Sequence, residues 1–403
     1  MGRVPHPPAA GAAMSGLDVV LLLVLVAYAI SGFVQGFVTN AVSTVGLLSG
    51  GLLGIAVVPV LLGGRSPSVA TSVLALVVVL VCAVLGQAAG SYVGGSVRDA
   101  VTWRPLRSLD SIGGSLLAMA AVLVVAWGLG YAVSGSQIPV LSKAVRDSSV
   151  LRAVDGVMPD RAQEVLRSFD EVIDTNLFPR YIEPFQPERI EDVEPPDAAT
   201  LESAGVVAAR ESVVKIVGQA VCERGIEGSG FAYARDRVMT NAHVVAGVEN
   251  PTVVVDERRL RADVVLFDPS LDVAVLAVDG LGLRPLAFDQ GGRAGDEAAV
   301  LGYPENGPFD ARAARIRSKQ ELRSPDIYGG GQAVREAFAI RSLVRSGNSG
   351  GPLVSADGDV YGVVFAASVS DSSTGYVVTA EQVAADATLG LRSSQPVGTG
   401  GCT

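Results

Sequence analysis

Four apolar runs dominate the first third of the chain, at roughly 17–37, 41–62, 69–90 and 112–134, with almost no charge inside them. Each meets the requirement of about 20 apolar residues for a helix that crosses a bilayer. Short breaks separate the runs, and residues 1–140 therefore read as a membrane domain of four transmembrane helices. Glycines recur within them at helical spacing: Gly32 with Gly36, Gly46 with Gly50 and Gly54, Gly86 with Gly90 and Gly94. Such stripes let helix backbones approach closely, either among the four helices of one chain or between copies in an oligomer.

From 141 to 200 the pattern changes twice. Val165, Leu166, Phe169, Val172 and Ile173 fall at three- and four-residue spacing and predict an amphipathic helix over 160–176. Glu183–Pro187 and Glu191–Pro196 are acidic and proline-rich, unfit for a helix or a central strand, and predict an extended linker. Beyond it, residues 201–403 carry short valine-rich runs broken by Gly, Pro, Asp and Asn. Two sets of strands emerge, one between Ser212 and Val278 and one between Glu297 and Thr379, a spacing that suits sandwiches and barrels.

Composition narrows the function. The chain is 49% hydrophobic with a formal charge of −10, which gives no sign of nucleic-acid binding. It has two histidines, and His6 lies in a proline-rich tail, which leaves His243. With one usable histidine, and Cys222 and Cys402 expected to pair as a disulfide, too few ligands remain for a zinc site, and no cofactor is implied.

His243 stands in Thr240-Asn241-Ala242-His243-Val244-Val245, and about a hundred residues on comes Gly347-Asn348-Ser349-Gly350-Gly351-Pro352-Leu353. Serine is a weak nucleophile at neutral pH. It needs an imidazole to take its proton and bare backbone N–H groups to meet a developing oxyanion. Between the two strings, Asp272 enters the apolar run Val273-Ala274-Val275-Leu276, which suits a buried carboxylate that orients an imidazole.

These three motifs resemble the bacterial HtrA-like branch of the chymotrypsin-fold serine proteases, over residues 206 to 390. The resemblance implies an all-β double-barrel domain, a His243, Asp272 and Ser349 triad in the cleft between barrels, and an oxyanion hole made by the N–H groups of Gly347 and Ser349. It further implies that Leu343 and the segment Phe365-Ala366-Ala367 shape the pocket for the side chain on the acyl side of the cut. No acid stands there, so a small or apolar side chain is expected, although Arg345 is close enough in sequence to reach the same pocket. That segment also offers its edge to an extended peptide. Asn348 is neutral where digestive proteases carry an acid, which argues against activation by a new N-terminus. Too few residues follow the last predicted strand for a PDZ module.

Asp18 and Gly32-Phe33-Val34-Gln35-Gly36-Phe37 resemble the colicin V production family of membrane proteins. The combination resembles the MarP-type membrane-anchored acid-resistance proteases of actinobacteria, and implies cleavage of cell-envelope proteins under acid or oxidative stress. Two observations address the side of the membrane. The loop at 91–111 carries Arg98, Arg104 and Arg107 against Arg65 on the opposite face, so that loop is expected inside and the protease outside, although Lys143, Arg146 and Arg152 count the other way. Cys222 and Cys402 bracket the protease domain, and a disulfide between them would tie the C-terminal tail to the first barrel in an oxidising compartment. Two separate thiols are the alternative. Met14 competes with Met1 as the start of the chain. Two other functions stay open: an inactive peptide-binding module on a membrane anchor, and a transporter or channel with an accessory domain.

Overall fold

The structure, a computed structural model, describes residues 14–62, 69–98, 104–134, 139–159, 188–222, 224–256, 258–330 and 333–402. The amphipathic helix expected over 160–176 and the Glu183–Pro187 stretch lie outside these residues. The chain forms two compact units, one helical and one built mainly from strands.

The helical unit contains α1 (Gly16–Gln35), α2 (Phe37–Leu62), α3 (Val69–Arg98), α4 (Arg104–Ser134) and the short α6 (Ser149–Asp155), while α5 (Pro139–Arg146) is divided between the two units. Four stretches, Gly16–Gln35, Phe37–Val58, Leu74–Val97 and Arg107–Tyr131, are long and apolar enough to cross a membrane. Leu23, Val34, Leu52, Leu85 and Leu116 are exposed on them, as a lipid-facing surface requires. The glycine stripes are used within the chain. A Cβ at Gly46 would collide with the Gly86 carbonyl, one at Gly50 with the Cys82 carbonyl and one at Gly90 with the Val42 carbonyl, so α2 and α3 lie backbone to backbone. Gly32 and Gly114 do the same for α1 and α4.

Asp18, buried at the start of α1, gathers the first turn of α6. Its carboxylate accepts from Ser148 Oγ at 2.6 Å, Ser149 Oγ at 2.8 Å and the N–H groups of Ser149 and Val150 at 3.1 Å. At the far end of α6, Trp127 Nε1 of α4 donates to Asp155 at 2.8 Å. The segment after the fourth helix is thus pinned at both ends by charge-assisted bonds.

In the second unit the helix α7 (Ala204–Ala209) precedes two sheets. The first comprises β1 (Val213–Gln219), β2 (Gly225–Ala234), β3 (Arg237–Thr240), β4 (Thr252–Val255), β5 (Arg258–Arg261), β6 (Asp263–Asp268) and β7 (Val273–Ala277), in spatial order β5-β4-β1-β2-β3-β7-β6. It curls on itself, and the helix α8 (Ala242–Val245) follows β3. The second comprises β8 (Glu297–Gly302), β9 (Asp310–Ser324), β10 (Ala333–Arg341), β11 (Pro352–Ser355), β12 (Val360–Ala367) and β13 (Thr374–Thr379), closed as a barrel in the order β10-β13-β12-β11-β8-β9. A shared core containing Phe231, Met239, Val275, Leu301, Val363, Phe365 and Tyr376 joins the two.

Two elements depart from the expectation. β5, Arg-Arg-Leu-Arg, has no apolar alternation; it is an edge strand whose charges guard unpaired backbone groups. After β13 the chain forms a 13-residue helix, α9 (Ala380–Arg392), capped by Thr379 accepting from the Gln382 N–H. The tail then returns to the first sheet, where Val397 N–H donates to Val264 O and Gly247 N–H to Thr399 O. Cys402 is joined to Cys222 by a disulfide.

Candidate active site

β3 ends in Thr240, and α8 begins two residues later, which puts His243 on a single helical turn at the edge of the first sheet. Opposite it, Asp272 stands just before β7 with φ +62°, a left-handed conformation rare for a residue with a side chain and found where a site over-determines the backbone. The turn turns its carboxylate inward. Asp272 is fully buried, its Oδ2 lies 2.8 Å from His243 Nδ1, and its Oδ1 accepts the His243 backbone N–H at 2.9 Å. Asn241 Nδ2 donates to the Asp272 carbonyl at 2.7 Å and locks the turn. With its proton on Nδ1 the ring donates to Asp272 and leaves Nε2 to act as a base.

Ser349 comes from the second barrel, on the turn before β11, and is buried. Gly347 and Gly350 on either side have φ +87° and +83°, which only glycine adopts without strain. Both also touch neighbouring backbone: a Cβ at Gly350 would strike Ser229 O and Thr240 Oγ1, and one at Gly347 would strike Tyr303 O. The serine turn therefore docks onto β2 and the end of β3, three residues before His243. Among the described residues, the N–H groups of Gly347 and Ser349 donate to no other backbone group, whereas their neighbours do: Asn348 N–H to Arg345 O at 3.0 Å and Gly350 N–H to Val364 O at 2.8 Å. Two unengaged donors on one tight turn can hold an oxyanion.

Ser229 was missing from the sequence reading. Its N–H donates to the Ser349 carbonyl at 2.8 Å, its hydroxyl donates to the Gly347 carbonyl at 2.6 Å, and it accepts from the Tyr303 N–H at 2.8 Å. The only signal was the small-residue run Gly228-Ser229-Gly230, which permits close approach but does not name what approaches.

The residues expected to shape the pocket divide. Leu343 is 43% exposed and lines an open cleft of about 400 Å³ with Pro196, Arg312, Arg341, Ser372 and Ser373. Phe365 and Ala366 are buried in the core, Phe365 beneath the Arg335 guanidinium, and Ala367 is half-buried. Phe365 and Ala366 therefore do not line an open pocket here, because the strand that carries them is packed inside the core, which corrects the expectation that they shape it. Arg345 is held elsewhere, paired with Glu305 at 3.2 Å and Asp310 at 2.9 Å. No group of three or more His, Cys, Asp or Glu side chains arranged as metal ligands occurs among the described residues.

Residues 228–363 match the trypsin-like peptidase domain family and residues 17–159 the colicin V production protein family. The serine protease Rv3671c of Mycobacterium tuberculosis strain H37Rv is 40% identical over 390 residues, covering 96% of this chain and 98% of its own. The chain belongs to that family of serine proteases. The crystal structure of the active form of the Rv3671c protease is 46% identical and covers 55% of this chain and 98% of that one, with a TM-score of 0.52. A probable periplasmic DegP-like serine endoprotease of Halomonas elongata is 35% identical over 145 residues, 35% of this chain and 29% of its own length. Membership of this membrane-anchored protease family makes the chain an endopeptidase that acts on protein substrates and sits in a membrane by its four apolar helices.

Proposed function

We propose that the protease cleaves cell-envelope proteins outside the cytoplasm through an acyl-enzyme formed on Ser349. His243 Nε2 takes the proton from Ser349 Oγ as the oxygen attacks the scissile carbonyl, and Asp272 stabilises the imidazolium. The N–H groups of Gly347 and Ser349 receive the oxyanion. His243 then passes its proton to the leaving amine, and water repeats the sequence to release the acid. The observation that carries this reading is the buried Asp272–His243 pair at 2.8 Å together with the serine turn docked three residues from His243.

On the acyl side, no acid among the described residues lines the cleft at Leu343, which supports rejection of Lys and Arg. Arg345 is engaged by Glu305 and Asp310, and of the two arginines in the lining Arg312 pairs with Asp310 and Arg341 donates to the Val193 carbonyl, which leaves a small or apolar side chain as the proposed preference. The outside location is supported by the Cys222–Cys402 disulfide, a bond that persists in oxidising compartments, and by Arg98 at the end of α3 with Arg104 and Arg107 at the start of α4. The family resemblance extends the proposal to survival of acid or oxidative stress. Covalent labelling by a fluorophosphonate, lost in Ser349→Ala, tests the mechanism, and an unlabelled wild type would leave a peptide-binding module in its place. Comparison of new protein N-termini between wild-type and Ser349→Ala cells identifies substrates, and normal acid survival of the Ser349→Ala strain would remove the stress role.

A further inference from the structure

The acidic stretch before the protease does not behave as a spacer. Residues 188–197 run without regular structure along the closed barrel, tied to it at many points. Arg317, 4% exposed, donates to the Glu191 carbonyl at 2.7 Å; Gln320 donates to the Arg189 carbonyl, Arg341 to the Val193 carbonyl, and the Asp197 N–H to Glu297. The densest contact is made by Glu188. Its carboxylate accepts from the hydroxyls of Ser368, Ser370 at 2.9 Å and Tyr376 at 3.2 Å, with the Val369 N–H at 3.4 Å.

Ser368, Val369 and Ser370 belong to the turn between β12 and β13, which begins one residue after Ala367, and Tyr376 lies in β13. The turn is wired onward. Ser368 Oγ accepts the N–H groups of Ser370 and Asp371; Asp371 accepts from Ser373 and Thr374 and pairs with Arg317 at 3.3 Å. Ser373 O accepts the Ser342 N–H at 2.9 Å, one residue before Leu343. Ser372, Ser373 and Pro196 of the linker stand with Leu343 around the same cleft. One carboxylate, from a segment outside the barrels, thus ends a chain of bonds that fixes one wall of the cleft against the other.

We propose that Glu188 is a positioning residue for peptide hydrolysis, holding the 368–374 turn against Ser342 and Leu343 and so setting the width of the cleft that takes the acyl-side side chain. The proposal rests on the assignment of that cleft to the acyl side. Hydroxyl and N–H donors to an ionised carboxylate are among the stronger bonds available, and without it two serines and a tyrosine near the cleft lose their common acceptor. The linker then contributes to specificity as well as to tethering.

The test uses the full chain in detergent. Wild type, Glu188→Ala, Glu188→Gln and Leu343→Asp are assayed on peptides that differ only in the acyl-side residue, with fluorophosphonate labelling rate and thermal midpoint measured beside them. Glu191→Ala, whose tie to the barrel runs through a backbone carbonyl, is the control. Glu188→Ala is expected to raise KM about tenfold and to flatten the preference among acyl-side residues, the size expected for lost bonds to a charged group, with labelling within about twofold of wild type. Glu188→Gln keeps an acceptor oxygen and should recover most of the preference. Equal losses in labelling and in hydrolysis of every peptide would overturn the proposal, because they mark a general loss of fold. So would an unchanged preference in Glu188→Ala while Leu343→Asp alters it. An unaltered preference in Leu343→Asp would instead overturn the assignment of the cleft, and the proposal with it.

Discussion

Replacing Asp386 by Asn should stabilise the protease domain near neutral pH and remove part of its pH dependence. Asp386 is 8% exposed on the inner face of α9, where the helix packs on β6, β7 and β12, and its Oδ2 has no hydrogen-bond partner among the described residues. Burial, with the negative Asp268 nearby, pushes its carboxyl from the ordinary 3.8 up to about 6. Above that pH the group is ionised in both folded and unfolded chains, and the folded state bears the full cost of a buried charge. As pH falls through 6 the folded protein takes up a proton that the unfolded chain does not take until near 3.8, so this group makes the fold more stable at pH 4 than at pH 7. A shift of about two units corresponds to an upper figure of about 3 kcal/mol. The Asp386→Asn change keeps the shape of the side chain without its charge. For a domain of this size each kcal/mol moves the thermal midpoint by about 2–4 °C, so the variant should melt several degrees higher at pH 7.5 and together with wild type at pH 4. Melting curves of both proteins across pH 4 to 8 decide the matter. Parallel curves, or a variant less stable at pH 7.5, would show that Asp386 finds a compensating partner and that its burial is not a cost.

Ser349→Ala and His243→Ala should each lower the hydrolysis rate by a factor on the order of 10⁴–10⁶, measured in single-turnover assays, since the members of such a unit fail together. Asp272→Asn should cost about 10⁴ by presenting the wrong tautomer of His243, and a near-normal rate would show that another group orients the ring. Ser229→Ala removes the hydroxyl between Gly347 O and Tyr303 N–H, and should lower kcat about tenfold to a hundredfold with KM little changed, the cost of leaving buried polar groups unpaired. Cys402→Ser opens a cross-link that spans 180 residues, for which chain entropy gives an upper figure of about 5 kcal/mol; calorimetry with and without reductant should find a lower midpoint.

The candidate site was legible because it is written in short strings whose residue types leave few alternatives. His243 stood alone as a usable histidine, and Ser349 lay among glycines that a β-strand or helix would not tolerate. The four apolar helices were legible for a similar reason, since bilayer thickness imposes length and composition that no soluble helix needs. α9 was not, because its buried face rests on Val383, Ala387 and Gly390, too weak a stripe to stand out from a tail. β5 escaped because an edge strand is held by its neighbour's backbone, which side-chain alternation does not report.

What the sequence pointed to alone, then, was the set of candidate reacting groups and the division into a membrane part and a β-rich part, because both depend on local composition. What only the tertiary structure decided was which groups support them. The Ser229 hydroxyl beneath the serine turn, the Asp18 carboxylate on α6, the α2–α3 glycine contact and the Glu188 tie to the 368–374 turn all join residues distant in the chain. Such pairs carry no spacing rule. A hydrogen bond forms where folding brings a donor to an acceptor, and that meeting is a property of the packed chain rather than of either residue's neighbours.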